Sequence, residues 1–376
     1  MTRSLNDDLA KGGILRPSLW TPSRPVSPSR ARRDTTVEDA ASPATLDGQS
    51  AIVQQPHQTP DSGYGAAQSS SMPQHADLEA IEEHYHVPPV SEEVMREISA
   101  WIEQQNSSQR QHIEADAGLI NRFVQLYFEY FHPVMPMLHK PSFNHTRMPW
   151  MLVLAVAAVG GEYAGLETCK AYVRKLWEYL RQAIGIFVEQ YTAQTLQVWF
   201  AQVVLLSHII MAYSGSKALV LTQQSQKNLL TTLARGLSWW RSEQSRRVIW
   251  SIWVLDVENG LHQGLPTLLP LNDQLDLELP CLDHVWDTRL NKLDEQTGAG
   301  LGRKVTLREA LQAMHDSGKV ADLDEFARRV VLLAVYQESR DLVQAAASLQ
   351  RRGFLEFDGE MAAGSGSGGI DALYEG

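Results

Sequence analysis

FVQLYFEYFHPVMPMLHKPSF, residues 123–143, is the stretch on which the fold turns. Leu119, Ile120, Phe123, Leu126, Tyr127, Tyr130 and Phe131 recur every three or four residues, which predicts a helix over 115–131 with one apolar face. Pro133 and Pro136 then remove amide donors and restrict the residues before them, so the helix should stop there. Moving downstream, MPWMLVLAVAAVGG (148–161) is apolar almost throughout and reads as a buried helix that Gly160-Gly161 ends or kinks. Residues 166–188 carry an amphipathic period through Leu166, Cys169, Val173, Leu176, Trp177, Leu180 and Ile184. Residues 191–216 hold no Asp, Glu, Lys or Arg, a length that could cross a bilayer, but Gln194, Gln197, Gln202, Ser207 and His208 would then sit in hydrocarbon. A central helix of a soluble bundle satisfies the same residues. Further helical periods occupy 94–102, 229–237, 243–258, 306–316 and 323–349, while Pro266, Pro270 and Pro280 interrupt 262–287 as a structured loop region. The expectation is an all-α, multi-helix domain.

Around this core the composition sets the domain plan. Residues 1–77 contain eight of the chain's 17 prolines and few apolar residues, so they are expected to form a disordered leader. Residues 78–352 are expected to be the helical domain, and 353–376, with MAAGSGSGG, a flexible tail. The net charge of -11 gives no support to a broadly cationic, phosphate-gripping surface. Within the leader, SPSRARR places Arg30, Arg32 and Arg33 together as a weak nuclear-import candidate. Two cysteines, Cys169 and Cys281, fit a reduced compartment, and the first residues lack a secretory apolar run.

A search for chemistry returns little. No glycine-rich phosphate loop or nucleophile elbow occurs. Cys281 and His284 offer only two metal ligands at a spacing of three. His132, His139 and His145 are separated by prolines and define no ligand face, which leaves capping or solvent contact as their expected roles. No cofactor or metal is expected. The alternative reading is an all-α enzyme with an apolar substrate cavity lined by aromatics, although Asp273, Asp276, Glu278 and Asp283 do not form a pair of acidic metal-binding motifs.

Residues 123–143, followed by MLVLAVAAVGGEYA, resemble the start of the fungal-specific transcription-factor regulatory domain, also called the middle homology region. Tyr127, Phe131, Pro133, Pro136, His139, Pro141 and Phe143 match its aromatic, proline and LHxPxF character. A second block, RRVIWSIWVLDVENGLHQGLPTLLP and then LELPCLDHVW, matches through Arg247, Trp250, Asp256, Pro266, Leu279, Pro280 and Trp286: a basic and aromatic helix, an acidic helix end, and proline-containing loops. The resemblance covers about 115–290.

The resemblance implies a transcription regulator, in the nucleus or shared between nucleus and cytoplasm, with pathway-specific metabolic or secondary-metabolite genes among its targets. It implies partners in a DNA-binding transcription factor or the transcription machinery, and leaves open homo- or hetero-oligomers and a small-molecule effector held by loops 133–143 and 261–280. Neither six clustered cysteines nor paired cysteines and histidines occur in these residues, so strong autonomous DNA binding is not expected, nor is membrane association. His139 should cap or pack, Asp256 should close a helix end or pair a charge, and Arg247 should act as a charge partner in the scaffold.

Overall fold

The computed structural model describes residues 79, 81, 83–106, 113–143, 148–190, 197–237, 242–287, 304–318 and 322–351. The expected leader with Arg30, Arg32 and Arg33, the expected tail, and His145 lie outside them. Among the described residues there is no strand; a single bridge joins Glu278 to Thr306. The domain is all-α.

In chain order the helices are α1 (Glu92–Asn106), α2 (Ala117–Leu126), α3 (Trp150–Gly161), α4 (Glu167–Glu189), α5 (Val198–Tyr213), α6 (Lys217–Leu237) and α7 (Glu243–Gln263). Two single-turn helices follow, α8 (Leu271–Gln274) and α9 (Asp283–Trp286), and then α10 (Leu307–Ser317) and α11 (Glu325–Arg351). Asp116 starts α2 by accepting the Leu119 amide at 2.9 Å, and Ser242 starts α7 by accepting that of Ser245 at 3.2 Å. At the other end of α7, Gly264 has φ +66°, the left-handed cap that glycine adopts without strain.

Layering follows from apolar patterning. α3 and α5 are buried on nearly all sides, as their lack of an amphipathic face requires. α2 and α4 pack on α3, α5 packs on α3, and α6 and α7 pack on α5. α7 is buried over most of its length and also meets α11. Among the described residues no helix is long and apolar enough to cross a membrane.

Several boundaries differ from the sequence expectation, for local reasons. The helix predicted over 115–131 changes geometry at Tyr127, where Tyr127–Phe131 form a π-helical turn closed by the His132 amide donating to the Tyr127 carbonyl at 2.8 Å. The helical run then ends before Pro133, as expected. α6 begins twelve residues before the predicted 229, because its first half is one apolar run, Ala218 to Leu221, followed by a polar run, and so shows no helical period. α7 continues five residues past 258 to the left-handed glycine cap. Gly160 and Gly161 close α3, and they also admit a neighbour. A Cβ at Gly160 would lie 1.9 Å from the Phe123 carbonyl oxygen, so α2 and α3 cross with backbone against backbone.

His132 and His208 are buried, and burial is the main reason their imidazoles are held at about 4 and about 3, below the usual 6.5. Both are therefore neutral in the folded chain and protonate first in the unfolded one. The sign follows directly: stability present above pH 6.5 is lost as pH falls from 6.5 toward 4, at roughly 1 kcal/mol per pH unit for each histidine. Denaturant titrations between pH 7 and 5 should show this slope, and His208→Leu should reduce it by one proton's worth.

Candidate regulatory site at the Arg247 hub

Arg247 lies on the first turns of α7 and is fully buried. An unpaired guanidinium there would be prohibitively unstable, so the surrounding chain has to supply acceptors. Its Nε donates to Glu243 Oε1 at 3.0 Å, one helical turn back. Nη1 donates to Asp283 Oδ1 at 2.9 Å and to the Pro136 carbonyl at 3.3 Å, and Nη2 donates to the Cys281 carbonyl at 2.6 Å. The guanidinium carbon sits 5.0 Å above the Trp286 ring, a cation–π contact. The His139 ring meets Trp286 edge-on at 4.7 Å. One side chain thus ties α7 to the 133–143 loop and to the 278–286 segment.

Neighbouring groups complete the hub. Glu243 Oε1 also accepts the Cys281 amide at 2.9 Å, and Arg246 bridges Glu243 and Glu278. The Trp250 indole donates to the Glu278 carbonyl at 2.9 Å. Burial and the adjacent Glu243 carboxylate push the Cys281 thiol up to about 12, so it is no thiolate nucleophile.

The signature residues fall into three groups. Pro136, His139, Arg247, Trp250, Leu279, Pro280 and Trp286 are buried at the hub or in the segments it ties. Tyr127, Phe131 and Phe143 belong to an adjoining aromatic cluster, where Tyr127 meets Phe131 at 5.1 Å and Phe128 meets Phe143 at 4.9 Å. Pro133 and Pro266 are exposed, and Pro141 is half-buried in a 3-10 turn, Lys140–Ser142.

The structure also decides between the roles the sequence left open at three places. Of the two roles expected of Asp256, a helix end or a charge partner, the structure shows the charge partner: Asp256 lies inside α7, buried, taking Lys227 Nζ at 3.1 Å and the amides of Leu268 and Leu269 at 2.6 and 3.0 Å. It thereby holds the loop after α7 against that helix. His139 is buried, as the packed role expected of it requires, with Nδ1 2.7 Å from Ser142 Oγ; His132 is buried too, away from solvent, with Nε2 2.8 Å from the Leu138 carbonyl. Beside the 261–280 loop, one of the two expected to hold an effector, lies an open cleft of about 210 Å³ lined by Pro266, Thr267, Pro270, Gln337, Arg340, Asp341 and Gln344, with no aromatic residue among them.

Asp256→Ala is expected to destabilise the domain by about 3 kcal/mol, because it strands the Lys227 ammonium and two buried amides. Faster hydrogen exchange at Leu268 and Leu269, beyond the global change, is the local readout.

Sequence reasoning did not find Glu243, Asp283 or the pairing of buried Glu258 with half-buried Arg329 (Nε to Oε1, 3.0 Å). Glu243 was within reach, since Glu243, Arg246 and Arg247 stand at i, i+3 and i+4 on one helix. The distant acceptors gave no such signal.

A sequence profile described as "Fungal specific transcription factor domain" matches residues 124–319, more than half of the chain. The chain belongs to the fungal-specific transcription factor domain family. Every hub residue named above falls inside that match. A protein of Gibberella fujikuroi named "Transcription factor" is 25% identical over 312 residues, which is 73% of this chain and 41% of that protein. The chain thus spans less than half the length of that relative. No solved structure matches. A regulatory role in transcription follows from the family, and the same membership makes the domain a non-catalytic module, which sets aside the enzymatic alternative.

Proposed function

We propose that this domain regulates transcription by binding another protein in the nucleus, a DNA-binding factor or a component of the transcription machinery, and that pathway-specific metabolic genes are among its targets. The observation that carries this reading is the outer face of α11. Leu332, Tyr336 and Val343 form one exposed apolar stripe at 100° per residue, while Leu342 and Leu349, also exposed, lie about 100° round the helix from it, where the buried face runs out beyond Gln337. The inner face of the same helix, from Phe326 to Gln337, is buried in the domain, so the exposed stripe is left for something outside it. By contrast, the signature residues at the hub are sealed into the scaffold. Their role in this reading is to fix the position of the loops and helices that a partner meets.

Crosslinking with mass spectrometry in native cells is expected to recover a transcription regulator, with crosslinks from the α11 segment, and Leu332→Asp with Val343→Asp should abolish that recovery while leaving the fold intact. Recovery of metabolic enzymes alone, with exclusion from the nucleus, would overturn the proposal. A companion test concerns DNA. The 376 residues carry two cysteines and a net charge of -11, so the isolated chain is expected to select no sequence from a randomised duplex pool at near-physiological salt. Addition of its partner should bring selection.

A further inference from the structure

Upstream of α1, residues 83–90 run as an extended strap along α2. The strap is latched by side chains from one helix: Gln125 Oε1 accepts the amides of His86 and Val87 at 2.6 and 3.2 Å, its Nε2 donates to the Val87 carbonyl at 2.8 Å, and Asn121 Oδ1 accepts the Val90 amide at 2.7 Å. Arg122 reaches back to the Ile81 carbonyl at 2.7 Å and to Glu83 at 2.6 Å. These bonds hold the His84-Tyr85-His86 tripeptide over the π-helical turn, where Glu129 projects.

The result is a cluster of three donors. One ligand atom from each of His84, His86 and Glu129 lies within 4.8 Å of the other two. His86 Nε2 is 2.5 Å and His84 Nδ1 3.8 Å from the carboxylate oxygen. These two separations bracket the approximately 3.3 Å between ligand atoms around a tetrahedral zinc ion. The two rings are stacked at 5.7 Å between centroids, and Tyr130 packs edge-on against His84 at 6.0 Å. All three ligand residues are only half-buried, so an ion can enter and retain a water as fourth ligand.

From this geometry we propose that His84 Nδ1, His86 Nε2 and Glu129 Oε2 form a binding site for a transition-metal dication of the zinc class, which clasps the strap to the π-turn. Two imidazoles and one carboxylate are a donor set suited to zinc and cobalt; calcium and magnesium call for oxygen alone.

Lys140 regulates the site. Its Nζ lies 3.2 Å from His86 Nδ1. An ammonium only donates, so Nδ1 accepts, and the ring proton resides on Nε2 and is donated to Glu129. A metal on Nε2 takes the place of that proton and moves the ring hydrogen to Nδ1, directly against the ammonium. Lys140, at the edge of its 3-10 turn, has to swing away before the ion binds. It therefore lowers the affinity of a site whose donors are otherwise in place.

The test is calorimetry of the full chain with Zn²⁺, and with Co²⁺ as a spectroscopic probe. One equivalent should bind, with amide exchange across Tyr85–Val90 slowed on binding. His86→Ala and Glu129→Gln should weaken binding at least about 100-fold, whereas Lys140→Met should tighten it about tenfold. His315→Ala, an exposed histidine elsewhere, should change nothing. Circular dichroism of each variant checks that the fold is kept. No binding at one equivalent, affinity unaltered in His86→Ala and Glu129→Gln, or strap exchange indifferent to zinc would each overturn the proposal.

Discussion

Arg247→Ala is expected to destabilise the domain by about 3–5 kcal/mol, enough to remove most of a typical domain's stability. The substitution deletes a side chain with no exposure, leaves the Pro136 and Cys281 carbonyls without their donor, and leaves Glu243 with only Arg246 and the Cys281 amide. It also opens the space under Trp286. Arg247→Lys should recover little, since an ammonium cannot reproduce the fork that meets Glu243 on one side and Asp283 and two carbonyls on the other. Arg247→Met restores volume without charge and should regain part of the loss, whereas adding Glu243→Gln should deepen it again, because Glu243 also pairs the buried Arg246. Denaturant unfolding, followed by the fluorescence of the tryptophans around the hub, measures all four. Wild-type stability in Arg247→Ala would show that the buried network is dispensable.

Gly160→Ala is the second large effect. Its Cβ would meet the Phe123 carbonyl oxygen at 1.9 Å and the Tyr127 amide nitrogen at 2.8 Å, both backbone atoms that cannot rotate aside. α2 and α3 must separate, at about 3 kcal/mol or more. Gly161→Ala is the informative control. Its Cβ would press on the Val173 side chain at 2.3 Å and the Phe123 ring at 3.1 Å, which can yield partly by moving, so a smaller loss is expected. Equal thermal shifts in the two variants would contradict the backbone crossing.

These two sites show what the sequence made legible. The helices α3, α4, α5 and α7 could be read from apolar period, and Pro133 marked the stop after the aromatic run, because each of these signals is local. The two glycines were visible as a helix end, but the helix pressed against Gly160 belongs to a segment nearly forty residues earlier. The same applies to the hub. Arg247 was expected to be a charge partner, and Glu243 lies one turn away, yet Pro136 and Asp283 stand 111 and 36 residues from it. Only the packing of α7 against both loops brings them together. For Asp256 the sequence left a helix end and a charge partner both open, because the apolar period of α7 fades before the helix reaches Gly264; the packing of Lys227 against it decides for the charge partner. The histidines of the strap were missed for a related reason: His84 and His86 find Glu129 through a latch of polar side chains on α2, and polar latches leave no periodic trace.

The tie between the 133–143 loop and α7 has a consequence for how the chain is made. Pro136 leaves the ribosome 111 residues ahead of Arg247. At about 5–20 residues per second, that interval lasts roughly 6 to 22 s. Throughout it, Met135, Met137, Leu138 and Phe143, all buried in the finished domain, belong to a loop that Arg247 has yet to tie down. The nascent domain is therefore a natural client for chaperones during that window, and slower translation between α3 and α7 would prolong its dependence on them.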